Sequence, residues 1–191
     1  MNDALPGDSD RALLTRWLAG DGRAADVLYR RHAAALAQFF RTKVPSGDID
    51  DLVQQVWVAL GETQRRPDAP GIRDSFRAYL FGVARYLLFA HIRARHRRAA
   101  IDPITCSIAA LDPSLSQAVG RQVEAQRMML ALQSLPLDTQ VLLELRYFHA
   151  MTTRELATLY EIPTGTVKSR LAHARERLEA AMRTARQDPS T

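Results

Sequence analysis

The sequence predicts an all-helical protein made of two small helical domains joined by a flexible linker. Three observations carry this. Strand signals are nearly absent, with no long alternating run and no Asn-Gly hairpin turn. Apolar residues recur instead at three- and four-residue spacing. The few glycines and prolines gather where those runs end.

Ser9 or Asp10 caps a first helix through Trp17 and Leu18, ending at Gly20, and Asp21-Gly22 turns the chain. A second helix spans roughly 24–43, with Val27, Leu28, His32, Leu36 and Phe39 at helical spacing. Pro45-Ser46-Gly47 breaks it. Asp48 or Asp50 opens a third helix, 48–61, with Leu52, Val53, Val56, Trp57 and Leu60 inward. Its acidic first turn complements the helix dipole. Residues 62–73 read as a loop. Asp74 or Ser75 starts the longest helix, which runs to about Arg98. Residues 99–113, with Pro103 and Pro113, read as a linker that spans about 50 Å if extended. A helix resumes near Ser114 and ends at Ser134. Three more follow Pro136, at about 137–149, 153–160 and 164–185. The domains are therefore expected at 8–98 and 120–185, with 99–119 between them.

The 191 residues leave room for two small domains, and an apolar content of 47% suits a packed core. The net charge of +5 is unevenly placed. Residues 63–98 hold nine basic groups against two acidic ones, more than the whole surplus. A local positive field of that kind suits a polyanion, and the alternative is a solvated basic face. Only Lys43 and Lys168 of the basic residues are lysine. The lone Cys106 excludes an intrachain disulfide. No secretory signal precedes the first helix and the apolar runs are too short for a bilayer, so a soluble cytoplasmic protein without membrane insertion is expected. No Gly-rich phosphate loop and no His/Cys metal spacing occurs. Hence no catalytic residue, metal or cofactor is expected.

Thr152 and Glu155 form a capping-box pattern ahead of a short helix, and Ile162-Pro163 turns the chain into another. On that second helix Val167, Leu171, Ala174 and Leu178 fall within about 60° of one another and face inward. Opposite them lie Gly165, Ser169, Ala172, His173 and Glu176, flanked by Thr166, Lys168 and Arg170. An exposed helix that begins with small and hydroxylated residues and then bears Lys and Arg suits the major groove. A helical hairpin with a merely hydrated polar face is the alternative.

On the helix from 74 to 98, Phe76, Leu80, Val83, Leu87 and Ala94 share one side. The other side carries Arg85, Phe89, Ile92 and His96, with Arg93 at its edge and Tyr79, Phe81 and Tyr86 nearby. Rings among arginines make a platform on which unpaired bases stack, at roughly 1–3 kcal/mol per base. Alternatively the rings pack against the first two helices. The 48–61 helix differs: Asp48, Asp50, Asp51, Gln54 and Gln55 repel DNA and suit a basic protein surface, unless they form only a solvated helix start.

The succession DLVQQVWVAL, FRAYLFGVARYLLFAHIRARHRR, LPLDTQVLLELRYF and TTRELATLYEIPTGTVKSRLAHARERL resembles the bacterial extracytoplasmic-function (group IV) sigma factors of RNA polymerase over about 24–98 and 120–182. The resemblance implies a sigma region 2 helical bundle, then a sigma region 4 helix-turn-helix. It implies core RNA polymerase and promoter DNA as partners, and a restraining anti-sigma factor. Asp50, Asp51, Gln54 and Gln55 would dock on the clamp helices of the largest polymerase subunit. Arg65, Arg66, Arg73, Arg77, Tyr79, Arg85, Tyr86, Phe89, Arg93 and His96 would recognise and open the minus-10 element. At the minus-35 element Lys168, Ser169 and His173 would lie nearest the bases. Arg154, Thr164, Gly165, Thr166, Arg170 and Arg175 would complete that surface. Where the family usually has Gly in the turn before the recognition helix, this chain has Glu161; a positive φ there would cost on the order of 1 kcal/mol. Two other readings remain: a dimeric helix-turn-helix regulator that never engages polymerase, and a helical protein-interaction module.

Overall fold

Several helix starts fall where side chains can cap them. The computed structural model describes residues 7–66, 72, 75–96, 102, 104–111 and 123–187. Helix α1 (Asp10–Leu18) begins after Ser9, whose Oγ accepts from the Ala12 amide at 3.3 Å. Asp21 caps α2 (Gly22–Arg41), its Oδ1 accepting from the Arg23 and Ala24 amides at 3.0 and 3.4 Å. Ser75 caps α4 (Phe76–Arg95) through the Ala78 amide at 3.3 Å. Each side chain satisfies an amide that the helix leaves without a partner.

Helix α3 (Ser46–Gln64) starts earlier and ends later than expected. Pro45 stands at its N-cap, so the stretch read as a breaker is the helix entry itself. Of the loop expected at 62–73, residues 67–71, 73 and the neighbouring Asp74 lie outside the described residues. Within the expected linker, α5 (Ile108–Leu111) is a single helical turn, and Ile108 is buried in the core. Next to it, Ser107 bridges to Pro136 and the Leu137 amide donates to the Cys106 carbonyl at 2.9 Å. Helices α6 (Val123–Ser134), α7 (Leu137–Tyr147), α8 (Thr153–Tyr160) and α9 (Thr164–Gln187) complete the chain.

Helices α1 to α4 pack in sequence, and α9 packs on α6, α7 and α8. The two sets also meet, with α8 lying against α4. One apolar core runs through both. It joins Leu28, Phe39, Phe81 and Leu88 to Leu137, Leu145, Met151, Leu156 and Val167. Phe39 meets Phe40 and Phe81 edge-on, with centroids 5.2 and 5.6 Å apart. In this closed arrangement the segments expected to be tethered loosely share a hydrophobic interior.

The turn between α8 and α9 needs a left-handed residue, and Glu161 supplies it with φ 54° and ψ 41°. Its amide donates back to Thr158 at 3.3 Å, and the Ile162 amide reaches Ala157 at 3.1 Å. A side chain at positive φ is strained by about 1–2 kcal/mol, partly offset by the greater freedom glycine has when unfolded. Glu161→Gly is expected to raise the melting midpoint by a few degrees. Thermal unfolding followed by circular dichroism checks this, and an unchanged or lower midpoint would contradict it.

Candidate nucleic-acid interface

The second helix of the C-terminal hairpin presents the face that its periodicity predicts. Val167, Leu171 and Ala174 are buried and Leu178 is half-buried. Ahead of it, the Thr152 hydroxyl and the Glu155 carboxylate complete a capping box on α8, at 3.1 and 2.8 Å. Burial pushes the Glu155 carboxyl up, but hydrogen bonds from Thr152 and Ser75 outweigh it and hold the group below its usual range. On the outer side of α9, Thr164, Gly165, Lys168, Ser169, Arg170, His173 and Arg175 are exposed and Thr166 is half-buried. Arg154, on α8, is exposed as well. Gly165 has open space around it, so nothing stops a phosphate from approaching the helix start closely.

The platform expected on α4 is not presented in this arrangement. Phe89 is only 4% exposed and packs under Arg85, whose guanidinium lies 4.5 Å from its ring centroid. The same guanidinium sits 4.7 Å over Tyr160 and donates twice to Asp138 Oδ1, at 3.0 and 2.7 Å. Burial and the Asp138 carboxylate push the Tyr160 phenol up, so it stays a neutral donor. Arg77 donates to the Ala150 carbonyl at 3.2 Å and lies 3.6 Å from Glu155. Thus Arg85 and Arg77 are held by α7, α8 and the loop between them. The inward stripe is also rotated from expectation. Phe81, Ala84, Leu88 and Ile92 are buried, Val83 and Leu87 are half-buried, and Ala94 is exposed. The reason is that α4 packs on two layers, α2 and α3 on one side and α8 on another. Tyr79 is half-buried, and Tyr86 stands 69% exposed. Both line a cavity of about 680 Å³ between α4 and the end of α8. Arg65, Arg66 and Arg93 are exposed, His96 is half-buried at the end of α4, and Arg73 lies outside the described residues.

A buried polar cluster closes the contact between the two helical sets. The Lys43 ammonium donates to the Phe39 carbonyl, to Thr42 Oγ1 at 3.0 Å and to Glu144 Oε2. Three donors thus meet three acceptors, a fit that a compact ammonium makes and a planar guanidinium does not. Burial pulls the Lys43 pKa down, and Glu144 opposes that shift. Glu144 also accepts from Gln140 Nε2 at 2.8 Å and from Thr42 Oγ1 at 3.3 Å. Beside this cluster the His149 ring lies 4.6 Å from Phe81 and 6.2 Å from Phe39, centroid to centroid. Burial, then the charges of Lys43 and Arg77, lower its pKa to about 4. Sequence reading missed these residues. The one available signal was the scarcity of lysine, which had no local explanation.

The outer side of α3 is open. Asp50, Asp51, Gln54 and Gln55 are all exposed. Asp48 instead turns inward to α4, 3.3 Å from His91 and 3.2 Å from Arg95.

Comparison with known proteins agrees with this layout. The family model for sigma-70 region 2 matches residues 28–98, and that for sigma-70 region 4 matches residues 125–178. The ECF RNA polymerase sigma-E factor of Escherichia coli (strain K12) is 26% identical over 184 residues, covering 90% of this chain and 93% of the relative. The RNA polymerase sigma factor CnrH of Cupriavidus metallidurans is 28% identical over 188 residues, covering 93% of this chain and 96% of that one. The structure of CnrH in complex with the cytosolic domain of CnrY superposes with a TM-score of 0.67 at 27% identity, over 93% of this chain and 99% of that one. The sigma factor RpoE of Bartonella quintana, solved with the anti-sigma factor NepR, shares the fold with a TM-score of 0.58 at 21% identity, over 81% of this chain and 94% of that one. With its two matched regions in this order and full-length relatives of one kind, the chain belongs to the extracytoplasmic-function group of sigma-70 RNA polymerase sigma factors.

Proposed function

We propose that this sigma factor docks on core RNA polymerase through α3, reads a minus-35 element with α9 and helps to open the minus-10 element with α4. Region 2 then takes in residues 8–98, region 4 takes in 120–185, and 99–119 connects them. The exposed start of α9 carries the reading. Lys168, Ser169 and His173 point away from a buried seam of Val167, Leu171 and Ala174, on a helix fixed by the α8 hairpin. That geometry fits the major groove: hydroxyls and amides hold phosphates while Lys, Ser and His reach base edges. Arg154, Thr164, Gly165, Thr166, Arg170 and Arg175 serve the backbone.

The closed arrangement leaves the minus-35 face open and covers much of the minus-10 face. Arg77, Arg85 and Phe89 are engaged by region 4. Promoter opening therefore requires the two regions to part, freeing these groups beside Arg65, Arg66, Arg73, Tyr79, Tyr86, Arg93 and His96. A protein that holds the regions together would act as an anti-sigma factor. The likeness to CnrH, solved with the cytosolic domain of CnrY, supports such a partner. The subunit works in the cytoplasm, beside polymerase, and contributes binding rather than chemistry. Among the described residues no helix is long and apolar enough to cross a membrane.

Run-off transcription with core polymerase on a genomic promoter library tests the proposal. Purified protein should select a defined promoter class, and Lys168→Ala or Ser169→Ala should lower that selectivity while core binding survives. Loss of one good base contact corresponds to about 1–3 kcal/mol of discrimination. Specific binding to duplex DNA as a homodimer, with no effect on polymerase, would instead identify a conventional regulator. No binding to promoter DNA even with polymerase present would leave a protein-interaction module.

A further inference from the structure

A notch of about 670 Å³ opens where α1, α2 and α3 meet. Trp17, Tyr29 and Trp57 wall it, and Asp50, Gln54 and Glu62 stand on its rim. The two indoles lie 6.1 Å apart at 58°, and the Tyr29 ring lies 5.6 Å from Trp57 at 51°. These are the chain's two tryptophans. Gly61 lets one of them settle: a Cβ there would stand 3.3 Å from Trp17 Cζ2, tighter than ordinary contact. Tyr29 is 49% exposed and Val58 52% exposed, while Trp17 and Trp57 are half-buried, so the Tyr29 edge of the notch faces solvent. Trp17 comes from α1, outside both matched regions.

The chemistry of this notch is that of a cation receptor. Tilted rings offer negative faces, and a guanidinium stacks on them more readily than an ammonium because it is planar and weakly hydrated. The chain itself shows the affinity, since the Arg65 guanidinium lies 5.9 Å from the Trp17 ring. Asp50 and Glu62 are exposed, and neither forms an ion pair among the described residues. They stand twelve residues apart along α3, about 18 Å at the helical rise. That separation matches three turns of a partner helix carrying positive charge. Asp51 and Gln55 continue the polar surface past the notch.

We propose that the notch receives an arginine side chain from a basic surface of core RNA polymerase. The guanidinium would stack among Tyr29, Trp57 and Trp17, while Asp50 and Glu62 pair with neighbouring basic groups. This extends the docking surface from α3 to α1 and α2, and it rests on the reading of α3 as the polymerase-docking helix. Arg65 would yield its place over Trp17 on docking.

Affinity of the fluorescently labelled full chain for core polymerase tests this. Tyr29→Leu keeps an apolar side chain but removes the ring face, and should weaken binding about 3- to 30-fold. Tyr29→Phe keeps the face and should bind as the unaltered chain does. The exposed pair Asp50→Asn/Glu62→Gln leaves the core untouched and should weaken binding and flatten its salt dependence. Asp51→Arg lies outside the notch and reports on the docking helix alone. If Asp51→Arg weakens binding while Tyr29→Leu does not, docking stands and the notch is overturned. If neither changes affinity, the docking reading fails and the notch with it. Equal losses in Tyr29→Leu and Tyr29→Phe would overturn the stacking role, because the hydroxyl rather than the ring would then carry the contact. Unchanged melting curves for each variant confirm that the fold is intact.

Discussion

Glu144→Ala is expected to destabilise the closed arrangement by about 3–5 kcal/mol, the usual cost of leaving a buried charge without its partner. Lys43 and Glu144 are wholly enclosed where regions 2 and 4 meet. Once the regions part, both side chains reach water, so the substitution penalises the closed form and spares the open one. The surrounding polar groups do not rescue it. Gln133 Oε1 and Gln140 Oε1 already lack partners, and each such orphan costs about 1–3 kcal/mol. Small-angle scattering at neutral pH should show a larger radius of gyration for the variant, and single-stranded minus-10 DNA should bind more tightly. The lysine sets a second signature. Burial holds its pKa down, so the closed form binds fewer protons than the open one. Raising the pH towards the ordinary lysine range should therefore close the Glu144→Ala variant again. Lys43→Met/Glu144→Leu, which removes both charges, should remain closed from neutral pH up to the ordinary lysine range. A Glu144→Ala protein as small in solution as the unaltered chain would show that the pair does not hold the regions together.

Acidification should open the unaltered protein, through His149. Its pKa is lowered to about 4 in the closed form against 6.5 for the free side chain. The closed form thus binds fewer protons, and its advantage is complete above pH 6.5. That advantage is lost as the pH falls from 6.5 towards 4, by at most about 1.4 kcal/mol for each pH unit. The charged groups that face the ring are Lys43 and Arg77. Glu155 also joins the regions, accepting from Ser75 at 2.8 Å. Its carboxyl sits below its usual range, so its contribution fades only in more acid solution. Between pH 6.5 and 5 the effect therefore belongs to His149. Scattering or a pair of distance probes on the two regions should show opening over that range in the unaltered chain. His149→Leu should remove the response, because leucine fits between Phe39 and Phe81 without titrating. Persistence of the same pH response in that variant would assign it to another group.

Both expectations concern residues whose importance no local pattern announces. Lys43 and Glu144 stand 101 positions apart and meet only because the end of α2 lies against the C-terminal part of α7. His149, expected as the last residue of a helix, follows the end of α7 and fills a gap between two phenylalanines of region 2. The α4 face shows the same limit from the other direction. Its periodicity separates two sides, and packing against α8 covers part of the side expected to be open. Phe89 and Arg85 are consequently occupied rather than displayed. The α9 face, in contrast, was legible residue by residue. A single layer covers one side of that helix, so its apolar stripe of Val167, Leu171 and Ala174 identifies the exposed side directly.

By itself the sequence determined most of the helices, the caps at Ser9, Asp21, Ser75 and Thr152, the helix-turn-helix and the separation of acidic from basic stretches. All of these depend on neighbours within about four residues, where side-chain spacing and backbone hydrogen bonding act. Only the tertiary structure decided that the two regions close on each other, that a lysine and a glutamate are sealed between them, and that Trp17, Tyr29 and Trp57 enclose a notch. Such contacts join residues far apart in the chain. Their energy depends on how whole helices stack and exclude water, which no short stretch of sequence encodes.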